Sequence, residues 1–376
     1  MSIRIHQVTQ KADYDKFVQF GINLYAGNEY YVPPLVFDEL DTLNPAKNPA
    51  FENCDAAFFL AYKEGIIVGR IGVIINNKAN QIWDQKNARF GFIDFIDDDE
   101  VVDSLFNTIE EWARLRGMEK MQGPMGFCNM DAEGMLIEGF DQISTIATIY
   151  NYPYYADHLQ RLGYIKDQDA VEFLITIPRE IPERFVRVLD IVKKRSDVVI
   201  KRLESKKDVY PYAKEIFNLI NLAYKDLYGY VELSEKQIDH YVNMYIPMLR
   251  LEFLALVVRE SDNKLVGVGI ALPSVAKAMQ KAGGKLLPFG WYHLLRAVKG
   301  HDNKVLELLL IAIDPEFQGK GLNALLFNEL IPPANRLGFE YAESNPELEI
   351  NNKVQALWGD LETKQTKKRR IFIKDL

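Results

Sequence analysis

The sequence predicts an α/β protein in which one strand–helix unit occurs twice along the chain. Segments 58–73 and 252–271 each contain a strand pattern, a polar turn and a second strand pattern that includes Val-Gly. Repetition of one element order at this scale indicates tandem copies of a domain. A chain of 376 residues also favours two domains over one continuous core.

The two copies are predicted to join across a connection that begins with prolines. Pro178 and Pro182 follow a strand pattern, and a helical pattern comes next. We therefore expect one domain over 1–178, a connecting helix over 179–197 and a second domain over 198–376.

The composition is that of a globular protein with an acidic balance. Apolar residues make up 48% of the chain, charged residues 26%, and the net charge is −8. This charge argues against a DNA partner, which would need a basic footprint. Cys54 and Cys128 cannot build a disulfide framework, and the five histidines are too scattered to predict a metal site.

The expected location is the cytoplasm. The N-terminal residues lack the apolar core of a signal peptide. No apolar run reaches the roughly 18 residues that a membrane-spanning helix needs. The pattern does not predict an oligomeric state.

In the first copy, alternating apolar residues predict strands, and apolar residues at helical spacing predict the helices. Segments 56–62 and 66–76 form a predicted hairpin across a turn that contains Gly65. The helix over 101–116 is followed by Gly117, a typical stop signal. The other predicted elements are strands at 3–8, 90–96 and 171–177 and helices at 14–25 and 151–163.

In the second copy the same patterns recur. The predicted strands cover 253–259, 265–272, 308–313, 341–344 and 370–374, and the predicted helices cover 210–224, 234–249 and 353–361. A further helix begins at Leu322 and meets Pro332 and Pro333. Because proline lacks the N–H group that a helix interior needs, we expect this helix to break near Ile331 and to restart.

A long insertion, Ser274–Asn303, separates two strands of the second copy that are normally joined tightly. It contains a short helical pattern with aromatic residues, several lysines and one arginine. Three interpretations stay open. The helix packs on the seam between the copies, it forms a lid over a substrate site, or it lies at a membrane surface.

The most informative stretch is 307–326. An apolar strand ends before Pro315, a loop with Gly319 and Gly321 follows, and a helical pattern begins at Leu322. A glycine-bearing turn that leads into a helix exposes backbone N–H groups at the positive end of the helix dipole. The stretch therefore predicts an anion-binding cradle that suits phosphate.

The loop resembles the acyl-CoA signature of the GNAT acyltransferase superfamily, Gln/Arg-x-x-Gly-x-Gly/Ala. The loop residues at the positions of this signature are Gln318, Gly319, Lys320, Gly321, Leu322 and Asn323. Asn323 departs from the signature, because the family has Gly or Ala there. The resemblance implies that the loop binds the pyrophosphate of acetyl-CoA or another acyl-CoA. It also implies two tandem α+β domains with mixed sheets, of which the C-terminal one carries the intact loop.

Glu307 stands on the strand before this loop, where histone acetyltransferases of the superfamily carry their catalytic Glu. The resemblance implies that Glu307 is the general base. Such a base needs a pKa raised toward neutral, and the apolar neighbours Leu306 and 308–310 are expected to provide suitable surroundings. The alternative is a strand Glu that faces solvent or pairs with a Lys or Arg.

The resemblance assigns four further residues to the cofactor. The backbones of Ile311 and Ile313 would contact the pantetheine where the strand splays from its neighbour. Asn351 takes the place of an Asn that contacts the cofactor arm, and Trp358 that of a Tyr that protonates the leaving thiolate. An indole cannot deliver this proton, so the general-acid role is vacant or filled from elsewhere.

The first copy lacks the cradle. The acidic run Asp97–Glu100 follows its strand and would repel a pyrophosphate. Asn151 and the tyrosines after it still resemble the last helix of the family. Together with Tyr30–Pro34 and Gly123–Met125, they are similar to a group of bacterial tandem GNAT proteins. This copy is a scaffold, or it shapes the acceptor site and attracts a cationic amine.

The basic run Thr363–Arg370 is interpreted as the solvent-exposed entry to the last strand. Two alternatives stay open for it: contact with the 3′-phosphate of the cofactor, or with an RNA acceptor.

The resemblance as a whole implies an N-acetyltransferase that moves an acetyl or other acyl group from acyl-CoA to an amine on a small molecule or peptide. The amine would attack directly in a ternary complex, since no activated Ser or Cys nucleophile is evident. Two alternatives remain: a non-catalytic acyl-CoA-binding or regulatory protein, and an aminoacyl-tRNA-dependent transferase. The sequence does not identify the acceptor.

Overall fold

A computed structural model describes residues 2–300, 303–359 and 361–376, so that 301 and 302 of the insertion lie outside the described residues. The chain forms two compact units. Unit 1 comprises Met1–Val171, Ala276–Leu294 and Thr366–Leu376, and unit 2 comprises Glu172–Val275 and Leu295–Gln365. The predicted domain boundaries at 178 and 198 stay a prediction. The two units are not continuous along the chain, because part of the insertion and most of the last strand belong to unit 1.

The N-terminal half of the chain alternates short helices with strands. Its elements are β1 Arg4–Gln7, α1 Lys11–Leu24, α2 Val36–Thr42, β2 Cys54–Lys63, β3 Ile66–Asn76, α3 Asn77–Ile82, β4 Asn87–Phe95, α4 Asp99–Arg114, β5 Lys120–Gly123, β6 Met135–Glu138, α5 Tyr154–Arg161 and β7 Ile165–Thr176. The predicted hairpin is confirmed by β2 and β3, which pair in antiparallel register from Cys54–Asn76 to Lys63–Ile66.

The C-terminal half repeats this alternation. Its elements are α6 Glu183–Arg195, β8 Val198–Lys201, α7 Tyr210–Tyr224, α8 Glu235–Tyr245, β9 Leu254–Arg259, β10 Leu265–Pro273, α9 Ala276–Ala282, α10 Gly290–Val298, β11 Val305–Ile313, α11 Leu322–Arg336, β12 Tyr341–Ser344, β13 Glu347–Leu348, α12 Asn352–Gln355 and β14 Thr363–Asp375. Within the described residues, no helix is both long and apolar enough to cross a membrane.

Each unit is built on a mixed sheet, which confirms the predicted fold class. In unit 1, β1 to β4 are antiparallel neighbours, β4 and β5 are parallel, and β14 pairs antiparallel with β5 and β6. In unit 2, β8 to β11 are antiparallel neighbours, β11 and β12 are parallel, and β12 pairs antiparallel with β7. Each sheet packs on helices over its own apolar core.

The helix α11 corrects one prediction. It continues from Leu322 to Arg336 with Pro332 and Pro333 inside it, so the expected break near Ile331 is wrong. Ile331 and Ala334 on this turn are buried in the core of unit 2. This apolar contact holds the turn helical although the two prolines cannot donate hydrogen bonds to it.

The last predicted helix is shorter than expected. The α-helical part, α12, ends at Gln355, and a 3₁₀ turn over Ala356–Trp358 replaces the predicted continuation to 361. Such a tightened turn is common at the end of a helix. It turns the chain toward Gly359 and places Trp358 in the core.

Candidate functional site

The strand β11 ends at a turn that is held by a hydrogen bond and an ion pair of Asp314. The buried carboxylate of Asp314 accepts a hydrogen bond from the Glu316 amide at 3.0 Å and pairs with Lys264 Nζ at 3.1 Å. Pro315 opens a 3₁₀ turn that ends at Phe317. Local hydrogen bonding by Asp followed by Pro therefore stops the strand and redirects the chain into the predicted loop.

Two loop residues have backbone conformations that favour glycine. Gly319 has φ 74° and Gly321 has φ 87°, both in the left-handed region. At Gly321 a Cβ atom would also lie 2.5 Å from Cγ1 of Val188 in α6. The loop therefore requires glycine at Gly321 for two reasons, since α6 packs directly against this turn.

The helix α11 begins with an open N-terminus. Its N-cap is Gly321, which has no side chain to accept the first N–H groups of the helix. Leu322 and Asn323 are the first helical residues, and the exposed ammonium group of Lys320 lies over the Phe317 ring at 5.1 Å. This end of α11 has the positive dipole and the amides that an anion needs.

A cavity of about 730 Å³ lies beside this N-terminus within unit 2. The loop contributes Gly319, Lys320, Gly321 and Asn323 to its wall, and α6 contributes Arg184 and Val188. Its volume is in the range typical of small-molecule sites. The predicted loop residues Gly319, Lys320, Gly321 and Asn323 are thus brought together, whereas Leu322 is buried in the core.

The strand β11 parts from β12 where the cofactor was predicted to insert. The two strands pair from Val305–Tyr341 to Leu308–Ser344. Beyond this point, the carbonyl of Leu309 accepts from Asn345 Nδ2 at 2.7 Å instead of from a ladder partner. The ladder between β11 and β12 therefore ends at Leu308, and the edge of β11 beyond it is not paired with β12.

The carbonyl groups of Ile311 and Ile313 at this edge accept hydrogen bonds from side chains. Tyr224 of α7 donates its hydroxyl to the Ile311 carbonyl at 2.7 Å, and Gln318 Nε2 donates to the Ile313 carbonyl at 3.2 Å. The predicted contacts of these two backbones with pantetheine stay a prediction. Tyr224 was missed, since nothing in the sequence indicates that its hydroxyl reaches this strand.

Glu307 lies inside unit 2 with 1% of its surface exposed, so the interpretation as a solvent-facing Glu is wrong. Two of its predicted apolar neighbours do not share its face of the strand. Leu306 and Leu308 are its neighbours in sequence and so point to the opposite face of the strand. Glu343 on β12, which is also buried, is its register partner and shares its face. The predicted role of Glu307 as the base stays a prediction.

Trp358 and Asn351 have local hydrogen-bonding partners. The Asn351 side chain accepts from the Val354 amide at 3.3 Å and so caps α12. The indole N–H of Trp358 donates to Glu347 Oε1 at 2.8 Å, and its ring lies 5.8 Å from the ring of Phe327. Trp358 is buried, while its neighbours Ala356 and Leu357 line the cavity. The predicted cofactor contacts of Asn351 and Trp358 stay predictions.

Glu347 is a candidate residue that the sequence did not indicate. Burial raises its pKa to about 7, although hydrogen bonds from Trp358 and Ser344 oppose this rise. A carboxyl group with a pKa near neutral can accept or return a proton at physiological pH. Such groups cluster at functional sites. Glu347 therefore joins Glu307 as a candidate for proton transfer.

In unit 1 the corresponding helix N-terminus is already capped. Asp98 accepts hydrogen bonds from the amides of Glu100 and Val101 at the start of α4 and pairs with Lys63 at 2.6 Å. Asp97 and Asp99 both lie within ion-pair distance of His158. A carboxylate thus takes the amides that a phosphate would use, in agreement with the expectation that this copy lacks the cradle.

The family-like motif of unit 1 has structural contacts. The Asn151 side chain exchanges two hydrogen bonds with the backbone of Leu136, as a neighbouring strand would. The Tyr155 hydroxyl is buried, accepts from the Phe95 amide at 3.0 Å and lies 2.9 Å from the Tyr25 hydroxyl. These contacts hold β6 and α5 in place.

The interpretation of the basic run as a solvent-exposed strand entry is wrong for its second half. Lys367 and Arg369 are buried in unit 1, where they donate to backbone carbonyls of Ile143 and Ile149. Arg370 forms two hydrogen bonds to Asp169. Burial alone would raise the pKa of Asp169, but hydrogen bonds from Arg370, Lys166 and Lys368 lower it below its ordinary value.

Comparison with known proteins identifies the fold. No protein-family model matches the sequence. "Protein YghO" of Escherichia coli is 26% identical over 97% of this chain and 94% of its own length. "Bacterial ceramide synthase" of Caulobacter vibrioides is 28% identical over 98% of this chain and 96% of its own length. A tandem GNAT protein from the clavulanic acid biosynthesis pathway superposes over 100% of this chain and 98% of its own, with a TM-score of 0.56 at 11% identity.

The chain therefore has the tandem GNAT fold, which confirms the resemblance seen in the sequence. By sequence it is similar, over nearly its whole length, to the two bacterial proteins just described. Among the described residues, no three or more His, Cys, Asp and Glu side chains are grouped to hold a metal ion.

Proposed function

We propose that unit 2 binds an acyl-CoA at the glycine turn and transfers the acyl group to an amine. The observation that carries this proposal is the uncapped N-terminus of α11, which opens on the cavity beside Lys320. Backbone amides, a helix dipole and a lysine together suit a pyrophosphate. The two glycines fit the same role, because side chains here would strain the turn or fill it.

This reaction needs a proton acceptor from the protein but no protein nucleophile, because the amine itself attacks. A bound acyl-CoA supplies an activated thioester. The amine nitrogen forms a bond to the thioester carbonyl carbon, the C–S bond breaks, and the thiolate takes up a proton. The proton that the amine loses must pass to a carboxylate, directly or through water. Glu307 and Glu347 are the residues that we propose for this step.

For the acceptor we propose a long-chain amine. The support is the relative named a bacterial ceramide synthase, since a ceramide is a fatty amide of a long-chain amino alcohol. The bond formed would be the same amide bond that an N-acyltransferase forms with smaller amines. Incubation with acetyl-CoA or a long-chain acyl-CoA, each with a long-chain amino alcohol or a short amine, followed by mass spectrometry, tests this choice.

Asn323→Asp tests the cofactor site. Asn323 is the second residue of α11 and lines the cavity. An added carboxylate interacts favourably with the helix dipole by about 0.3–1 kcal/mol, yet it repels a pyrophosphate. We expect calorimetry to show at least tenfold weaker acetyl-CoA binding, with an unchanged or slightly raised melting temperature.

Asn328→Asp is the matched control, because it introduces the same charge further along the same helix and outside the cavity wall. It should bind acetyl-CoA like the unaltered protein. Equal affinity in all three proteins would reject the proposed site. Acyl-CoA binding without amide formation for any amine tested would favour the non-catalytic alternative, and RNA that co-purifies while acyl-CoA fails to bind would favour the tRNA-dependent one.

A further inference from the structure

The insertion carries an exposed apolar surface that the proposed acyl-CoA site does not explain. We name it the 287–292 surface, after Leu287, Phe289, Trp291 and Tyr292. These side chains are between 44% and 76% exposed, and they lie next to one another at the start of α10. Soluble proteins seldom expose several large apolar side chains in one patch without a binding partner.

The 287–292 surface is held firmly on unit 1. Gln280 of α9 donates hydrogen bonds from Nε2 to the carbonyls of Glu29 and Tyr31, at 2.8 and 2.9 Å. The amide of Val36 donates to the Gly284 carbonyl at 2.9 Å. The apolar side chains are therefore presented by an anchored segment, so their exposure is a property of the fold.

The indole of Trp291 is prepared for an apolar surrounding. Its N–H group donates to the Pro288 carbonyl at 3.0 Å, within the same segment. An indole whose donor is already satisfied can leave water without the cost of an unpaired polar group. Trp and Tyr are also the aromatic residues that favour the boundary between lipid and water.

The charge of the segment identifies the kind of partner. Residues 274–300 contain no Asp or Glu but carry five cationic residues, Lys277, Lys281, Lys285, Arg296 and Lys299, in a chain whose net charge is −8. Lys281 and Lys285 are exposed on either side of the turn that leads to the 287–292 surface. Aromatic and leucine side chains flanked by lysines match an anionic bilayer surface, which offers an apolar layer beneath negative headgroups.

We propose that the 287–292 surface docks the protein on an anionic phospholipid bilayer. Leu287, Phe289 and Trp291 enter the headgroup layer, and Lys281 and Lys285 contact the lipid phosphates. The docking does not require acyl transfer. If the proposed function holds, it would bring unit 1 to the surface in which a long-chain amine is dissolved.

Co-sedimentation with vesicles tests the proposal. We expect the full chain to bind vesicles that contain phosphatidylglycerol at least tenfold more tightly than vesicles of phosphatidylcholine alone, and added salt to weaken this binding. The double variant Leu287→Ser/Trp291→Ser should lose binding to both kinds of vesicle. In the charge variant Lys281→Glu/Lys285→Glu, the affinity for vesicles that contain phosphatidylglycerol should fall by about tenfold or more, so that the preference over phosphatidylcholine is lost.

Leu115→Ser is the matched control, since Leu115 is 77% exposed in unit 1 against 76% for Leu287. It should bind vesicles as the unaltered protein does. The proposal is overturned if the full chain does not sediment with phosphatidylglycerol vesicles, or if Leu287→Ser/Trp291→Ser sediments equally well. It is also overturned if light scattering shows a dimer that this variant converts to a monomer, because a second copy then covers the surface. Acetyl-CoA binding in the absence of vesicles is measured in parallel, so failure of docking and failure of the acyl-CoA site are told apart.

Discussion

Glu347 and Trp358 illustrate chemistry that depends on one contact between residues eleven positions apart. The indole N–H donates to one oxygen of Glu347, and the pair is mostly buried. The sequence indicated that Trp358 cannot act as the family's tyrosine acid. It gave no sign of Glu347, because burial and the turn between the two residues depend on how β13 and α12 fold. Burial raises the pKa of Glu347 to about 7, which suits the proton transfer that we propose for it.

The raised pKa of Glu347 predicts a pH-dependent effect on stability. A carboxyl group whose pKa is about 7 in the folded protein and 4.5 in the unfolded chain stabilises the fold at low pH, and this contribution is lost as the pH rises from 4.5 through 7. Glu347→Gln removes this loss, because the amide stays neutral and its oxygen can still accept from Trp358. We expect the variant to melt a few degrees above the unaltered protein at pH 8 and close to it at pH 5.

Glu340→Gln is the matched control, since Glu340 is half exposed and pairs with Lys304 at the surface. It should show no such gain at pH 8. An equal gain for Glu347→Gln at both pH values would contradict the raised pKa. If Glu347 also accepts the proton of the amine, kcat/KM of the unaltered protein should rise through pH 7, and this rise should be missing in Glu347→Gln.

The helices α4 and α11 have corresponding places in the two copies, but they differ in what lies at their first turn. Asp98 caps α4, whereas α11 starts at Gly321 without a side-chain cap. The difference could be predicted, because a run of acidic residues repels an anion whereas a Gly-x-Gly turn before a helix favours one. What the sequence did not predict is that α6 packs on Gly321 and closes one side of the cavity.

Asp98→Ala should destabilise the protein by about 1 kcal/mol through loss of the cap, with a smaller contribution from its ion pair with Lys63. Asp98→Asn retains an oxygen that can accept from the Glu100 amide and should recover most of the lost stability. Urea unfolding monitored by circular dichroism measures both variants. Asp98→Asn as unstable as Asp98→Ala would show that the ion pair, and not the cap, is the larger contribution.

Predictions at the level of elements succeeded where local pattern decides the structure and failed where distant contacts do. The β2–β3 hairpin and the strand–turn–helix from β11 to α11 follow from alternation, glycine and helical spacing. The continuity of α11 through Pro332 depends on burial of Ile331 and Ala334 in the core, which the local pattern cannot indicate. The burial of Lys367 and Arg369 likewise depends on loop carbonyls more than two hundred residues earlier in the chain.

At the scale of the whole molecule, the two copies have the same order of elements but different capacities. Unit 2 presents an open helix N-terminus beside a cavity, and in unit 1 the Asp98 carboxylate fills the equivalent place. Unit 1 instead carries the 287–292 surface and buries Lys367 and Arg369 of β14. The sequence predicted the loss of the cradle from one copy. It did not predict that part of the insertion would belong to the other copy, because this depends on contacts such as those of Gln280 with Glu29 and Tyr31.

This division of capacity predicts how many acyl-CoA molecules one chain binds. We expect calorimetry with acetyl-CoA to give one site per chain, since a phosphate at α4 would have to displace Asp98 and approach Asp97 and Asp99. Asn323→Asp should then weaken all of the measured acetyl-CoA binding at least tenfold and leave no second, unaffected site. Asp98→Asn, which lowers the negative charge at α4, serves as the comparison and should not raise the stoichiometry. Two sites per chain, or half of the signal retained in Asn323→Asp, would mean that unit 1 binds the cofactor in a different way from unit 2.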